Sequence, residues 1–94
     1  MQRFEDDRGV VYQVGGRATF TAIRMEPEME YRRETKDEPF SEHISGRYEL
    51  SIYYFTGVTH FVRHYATDYI SLTYDTRERA EAAFNEYIKL VEAE

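Results

Sequence analysis

Apolar and polar side chains alternate most regularly over residues 47–54. Every second position in this stretch is apolar: Tyr48, Leu50, Ile52 and Tyr54. Because successive side chains of a strand point to opposite faces of a sheet, the pattern predicts a strand with one face in the core. Thr56-Gly57 and residues 66–68 have the composition of tight turns. They predict two further strands, Val58–Tyr65 and Tyr69–Tyr74, and hence a three-stranded antiparallel meander.

A second β pattern lies nearer the N-terminus. Val10–Val14 is rich in β-branched and aromatic residues, Gly15-Gly16 is a permissive two-residue turn, and Arg17–Met25 is again β-rich. This order predicts a hairpin in which the two stretches pair with each other. The apolar positions change parity past Ala22, which predicts a bulge or a twist there.

From Thr76 to Val91 the spacing becomes that of a helix. Apolar residues recur every three or four positions and form one stripe: Ala80, Ala83, Phe84, Tyr87, Ile88 and Val91. Asp75 and Glu78 have the spacing of a capping box, so we expect the helix to begin here. Its stripe must lie on the sheet, because neither element can bury its apolar face alone.

Together these patterns predict one α+β domain over residues 1–94. We expect an antiparallel β-sheet of about five strands, a hairpin plus the meander, packed against one C-terminal amphipathic α-helix. A chain of 94 residues is long enough to bury one core.

Residues 26–45 are an acidic connecting segment with two structural interpretations. Pro27 in a first-turn position favours a short helix, whereas Met29 and Tyr31 alternating with charged residues favour an edge strand. Seven acids against three bases give this segment a net charge of −4, out of −6 for the whole chain. Clustered charge of this kind steers a partner of opposite charge, although a solvated connection would have the same composition. If the segment binds a basic protein, its contacts are Glu28, Glu30, Tyr31, Glu34, Asp37 and Glu38.

The face of the predicted meander away from the helix is unusually aromatic for a solvent-facing surface. With a tight turn at residues 56–57, Tyr53 faces His60 and Glu49 faces His64. The candidate contacts on this face are Tyr53, His60, Val62, His64 and Tyr69. Four explanations stay open: a second core layer under the first hairpin or residues 26–45, a homodimer or protein-partner surface, a small-ligand pocket, and a stacking platform for single-stranded nucleic acid.

Composition narrows the compartment and the partners. The chain has no cysteine, so it forms neither disulfides nor a thiolate zinc site. The absence of disulfides favours a reducing cellular compartment. The first residues are acidic and no apolar run reaches membrane-spanning length, so we expect a cytoplasmic protein. The net charge of −6 disfavours nucleic acid and anionic membranes as partners.

Catalytic and metal chemistry find little support in the sequence. His60 and His64 would share one side of a helix, but in the predicted strand they lie roughly 13 Å apart, too far for one ion. Glu49 with His64 is the one carboxylate–imidazole pair that strand pairing suggests, and no nucleophile accompanies it. There is no glycine-rich phosphate loop and no serine in an activating motif. We therefore predict no catalytic residue, no metal site and no cofactor.

The sequence thus favours a non-enzymatic, acidic protein-binding module that acts as a small regulator or inhibitor. Compact acidic domains without cysteine or catalytic groups include phage-encoded inhibitors of host defence, such as anti-CRISPR proteins, and toxin-neutralising immunity proteins. That parallel is one of composition alone. The alternative function is a small-ligand-binding domain that uses the Tyr/His-rich sheet face.

Overall fold

Two antiparallel sheets and a C-terminal helix make up the fold. The computed structural model describes residues 2–15, 18–56 and 68–92. In chain order the elements are β1 (Gln2–Glu5), β2 (Val11–Val14), β3 (Ala18–Arg32), β4 (Ser41–Thr56), β5 (Asp68–Tyr74) and α1 (Arg77–Glu92). β1 and β2 form one sheet, and β3, β4 and β5 form the other in that spatial order. Both sheets share a core with α1, which confirms the predicted α+β fold.

β4 is the central strand of the larger sheet. Its apolar side chains match those of both neighbours: Leu50, for example, lies between Met25 of β3 and Leu72 of β5. Leu50 and Leu72 are fully buried. The strict alternation that predicted β4 therefore reflects one face packed in the core.

This topology corrects the predicted meander. The pairs of Tyr53 with His60 and of Glu49 with His64 are wrong, because β3 and β5 occupy both edges of β4 at these positions. The strand predicted over Val58–Tyr65 lies in residues 57–67, outside the described residues. Turn rules join segments that are close in sequence, whereas β4 takes β5 as its neighbour across a longer connection.

The first hairpin also pairs differently from the prediction. Val11–Val14 pairs with β1, and the strand that begins at Ala18 pairs with β4. The physical reason is that β3 presents Phe20 and Ile23 directly opposite apolar residues of β4, a longer apolar match than β2 offers. β3 does contain a register shift, but it lies between Phe20 and Ala22, just before the position predicted from the change in parity.

α1 lies on the larger sheet through small side chains. Ala80 and Ala83 are buried, and their lack of bulk lets the helix approach the strands closely. Phe4 of β1 is fully buried and meets Phe20 and Tyr87 edge to face, with ring centroids 5.7 and 4.8 Å away. β1 thereby joins the smaller sheet to the helix-covered side of the larger one.

α1 begins one residue later than predicted. The Thr76 hydroxyl oxygen accepts a hydrogen bond from the Arg79 backbone N–H at 3.2 Å, so Thr76 is the N-cap. The capping box proposed between Asp75 and Glu78 is therefore out of register. Arg79 takes the third helical position and donates to the Asp7 carboxylate. This hydrogen bond holds the pKa of Asp7 below its ordinary value of 3.8.

The β1–β2 loop ties the two sheets together through one buried carboxylate. Asp6 accepts hydrogen bonds from the backbone N–H groups of Arg8 at 2.9 Å, Val10 at 3.1 Å and Thr73 at 3.1 Å. The first two bonds shape the loop, and the third attaches it to the edge of β5. The loop therefore satisfies a backbone donor on β5 that would otherwise lie buried without a partner.

Candidate functional site

Residues 29–44 form a hairpin that extends beyond the rest of the fold, and we call it the arm. It contains the end of β3, up to Arg32, a connection over residues 33–40, and the beginning of β4, from Ser41. β5 pairs with β4 only as far as Tyr48, so no described strand flanks the arm. The molecule is 51 Å long but 20 Å across its shortest dimension. Of the two interpretations of residues 26–45, the strand is the one that forms.

A bulge marks the base of the arm. Glu28 of β3 lies opposite three residues of β4, and Gly46 among them has a φ of 94°, which favours glycine. The Glu28 carboxylate lies 2.8 Å from the Arg8 guanidinium and 3.9 Å from that of Arg47. Its side chain is only 16% exposed. Glu28, predicted as a partner contact, therefore ties the arm to the body of the protein.

One side of the arm is apolar and exposed. The cross-strand pairs Met29–Ile44 and Tyr31–Glu42 place these four side chains on the same side. Met29, Tyr31 and Ile44 are 40%, 62% and 68% exposed. Phe40, 58% exposed, is next in the alternation, immediately before β4. We call the surface formed by Met29, Tyr31, Phe40, Glu42 and Ile44 the arm face.

The arm face continues the side of the sheet that α1 covers. Alternation along β3 places Met29 on the same side as Met25, which packs against the core. α1 starts at the base of the arm and runs away from it, because Tyr87, late in the helix, contacts Phe4, which contacts Phe20 near the far end of β3. The apolar side thus extends past the helix, and no other described element covers it.

The opposite side of the arm is polar. Pairing places Glu30, Arg32, Ser41 and His43 there. The Arg32 guanidinium hydrogen-bonds to Glu30 and lowers the pKa of Glu30 below its ordinary value of 4.5. Glu30, another predicted contact, is therefore already paired within the arm. The arm as a whole is an amphipathic two-stranded ribbon.

The connection at the tip carries acids without a counter-ion. Arg33 lies 4.4 Å over the Phe40 ring and donates to the Lys36 carbonyl oxygen at 3.2 Å, so its guanidinium is engaged. Within the described residues, no ion pair joins the three exposed acids that the sequence predicted as contacts: Glu34, Asp37 and Glu38. Their negative charge faces solvent at the far end of the arm.

The second predicted contact set lies on the sheet face away from α1. Tyr53 and Tyr69 form a cross-strand pair with ring centroids 5.8 Å apart, and Tyr69 is 63% exposed. The remaining members lie outside the described residues: His60, Val62 and His64. β3 belongs to the larger sheet itself, β2 places Val14 in the core shared with α1, and residues 26–45 extend into the arm, so neither segment forms the second core layer predicted over this face.

A solvent-open concavity of about 880 Å³ lies along the outer half of the arm. All of its lining residues are exposed: Tyr31, Arg32, Arg33, Glu34, Glu38, Phe40, Ser41 and His43. Ligand pockets bury most of a small molecule between apolar walls, which this concavity lacks. Neither Tyr53 nor Tyr69 lines it, so it differs from the pocket that the small-ligand alternative predicts.

Neither a metal site, nor a membrane-spanning helix, nor a related protein indicates a function for the described residues. In residues 2–15, 18–56 and 68–92, no three His, Asp or Glu side chains converge as a metal site. No helix in these ranges is both long and apolar enough to cross a membrane. The chain matches no family model, no curated protein and no solved structure. The arm is therefore the structural feature that bears on function.

The contacts predicted from the sequence include Tyr31 but leave out the other four residues of the arm face: Met29, Phe40, Glu42 and Ile44. The sequence contains a weaker signal: Met29 and Tyr31 alternate with charged residues, and Phe40 and Ile44 are four positions apart, a spacing that places both on one side of a strand. Two such stretches on either side of a polar connection are typical of a hairpin. The acids interspersed among these apolar residues make the segment resemble a solvated connection in composition.

Proposed function

We propose that the protein is a non-enzymatic protein-binding module, a small regulator or inhibitor, and that the arm face is its binding surface. The observation that carries this proposal is the exposure of four large apolar side chains on one side of a projecting ribbon. Contiguous exposed apolar surface on a soluble domain is typical of interaction sites. Covering these side chains with a partner would recover the free energy that their hydration costs.

The charge of the arm favours a basic protein as the partner. The chain carries a net charge of −6, and the unpaired acids Glu34, Asp37 and Glu38 lie at the tip. Negative charge there repels anionic lipid, nucleic acid and a second copy of the same chain. It attracts a basic surface and raises the rate of encounter, while the apolar arm face supplies most of the affinity.

The shape of the arm supports a role in inhibition or regulation. A ribbon two strands wide can enter a cleft that a flat sheet face cannot. Its base is fixed by the ion pairs of Glu28, so the apolar side chains are presented in a defined orientation. Pre-organisation of this kind reduces the conformational entropy lost on binding.

The test begins with capture of binding proteins from the source cells on the immobilised wild-type chain. The captured protein is then purified and its affinity measured directly. We expect the triple variant Met29→Ser, Tyr31→Ser, Ile44→Ser to bind at least about tenfold more weakly, because it removes apolar anchors from the interface.

A matched control changes the polar side of the same arm. The variant Ser41→Ala, His43→Ala should keep the wild-type affinity, and circular dichroism should show both variants folded. Equal affinities of the wild type and the triple variant for the purified partner would contradict the proposal.

A further inference from the structure

We propose that the arm binds an extended segment of its partner as an added strand along the open edge of β4, and that this segment reads apolar–x–basic–x–apolar. The inference rests on the proposed function in one respect, that the partner is a protein. It adds the binding mode and the recognition pattern. Strand addition of this kind obtains affinity from backbone hydrogen bonds and specificity from alternate side chains.

The open edge results from the end of β5. β5 pairs with β4 over Tyr48–Tyr54, and the chain then turns into α1. Next to Ser41–Ile44 of β4, no described strand continues the sheet on that side. A strand placed there would lie in line with β5 and extend the sheet along the arm. The unpaired backbone N–H and C=O groups of such an edge are a template for pairing.

The two edges of the arm differ in how they are protected. The β3 edge carries Pro27 near the base and Arg32 near the tip, and proline and charged residues are the usual guards against strand addition. Residues 41–45 of β4, Ser-Glu-His-Ile-Ser, contain no proline and one acid, Glu42, whose charge a basic residue on the added strand would neutralise. The β4 edge is therefore the receptive one.

Side chains on the arm face set the expected pattern. Along the β4 edge this side presents Ile44, Glu42 and, by alternation, Phe40. Glu42 is exposed and takes part in no ion pair among the described residues. Directly opposite positions on adjacent strands favour apolar pairs and opposite charges. The pattern is symmetric, so it holds for parallel and antiparallel addition alike.

The low intrinsic stability of a two-stranded ribbon also favours the addition of a third strand to the arm. A two-stranded ribbon without further packing is marginally stable in water, and a third strand makes the sheet independently stable. An added strand would also cover part of Ile44 on β4 and of Phe40 immediately before it, which are both well exposed. Binding of a third strand would therefore stabilise the arm further.

Two synthetic peptides test the proposal by fluorescence anisotropy on the full chain. One contains the core Leu-Thr-Lys-Thr-Leu and the other Leu-Thr-Glu-Thr-Leu, with identical neutral flanks. We expect the wild type to bind the lysine peptide about fivefold more tightly, the upper range for a cross-strand charge pair. The variant Glu42→Lys should reverse the preference. Glu78→Lys, an equal charge change on α1, should leave it unchanged.

Three outcomes would overturn the inference: no binding of either peptide up to about 1 mM, equal affinities in the wild type, or an equal effect of Glu42→Lys and Glu78→Lys. Amide chemical shifts offer a second readout, and perturbation along β3 instead of residues 41–45 would also contradict it. These failures are distinguishable from failure of the proposed function. If the captured protein still loses affinity for the Met29, Tyr31, Ile44 triple variant, the arm face binds a protein by another mode.

Discussion

Replacement of Phe4 by alanine is expected to lower the free energy of unfolding by about 3 to 5 kcal/mol. Phe4 has no exposed surface, and its ring lies edge to face against Phe20 and Tyr87. It is the side chain through which β1 joins the core of the larger sheet and α1. Because the surrounding rings cannot collapse fully into the space, a cavity adds to the lost burial energy. Urea denaturation followed by circular dichroism measures the change.

Phe40→Ala is the matched control, since it is the same substitution at a ring that is 58% exposed. We expect it to change stability by less than about 0.5 kcal/mol. A cost under about 1 kcal/mol for Phe4→Ala, or similar costs for both, would contradict the packing described for β1.

Asp6→Ala is expected to cost about 3 kcal/mol. The variant removes the acceptor of three backbone N–H groups, and each buried donor left unpaired costs about 1 to 3 kcal/mol. The total cost is smaller than three such penalties added together, because water can replace the hydrogen bonds to Arg8 and Val10, which are both exposed. Thr73 is only 3% exposed, so its N–H carries most of the penalty. Denaturant unfolding is again the measurement.

Asp37→Ala controls for the loss of one carboxylate. Asp37 is exposed at the tip of the arm, so its removal should change stability by less than about 0.5 kcal/mol. If Asp6→Ala were as mild as Asp37→Ala, the β1–β2 loop would not hold the two sheets together.

The sequence predicts best the strands and helices whose apolar residues repeat at a regular spacing over several turns or pleats. β4 and α1 each show their own periodicity over several turns or pleats. α1 lies within one residue of its predicted bounds, whereas β4 contains the predicted residues 47–54 but begins at Ser41. Hydrophobic periodicity cannot predict β1, because Phe4 is the single apolar residue in Gln2–Glu5. Its contribution comes from tertiary contacts between Phe4 and rings distant in sequence, which periodicity does not register.

Strand pairing is harder to predict than strand existence. The Gly15-Gly16 turn points to a local hairpin, but β3 has 15 residues and its apolar positions find a longer match in β4. The non-local pairing therefore prevails over the turn signal.

The candidate site is predicted in part. The segment 26–45 is identified from its charge, yet charge alone does not show that Glu28 and Glu30 are held by arginines within the fold. Ile44 and Phe40 become recognisable as one surface only when the cross-strand register is known. Which side chains share a face depends on pairing, and pairing is a tertiary property.

Photo-cross-linking from the arm tests most directly whether the arm face binds a protein. Two variants, Ile44→benzoylphenylalanine and His43→benzoylphenylalanine, place the same reactive group at adjacent residues on opposite sides of β4. We predict that illumination with the purified captured protein gives a covalent adduct from position 44 and little from position 43. Adducts from position 43 alone, or equal yields from both positions, would contradict the assignment of the arm face as the binding surface.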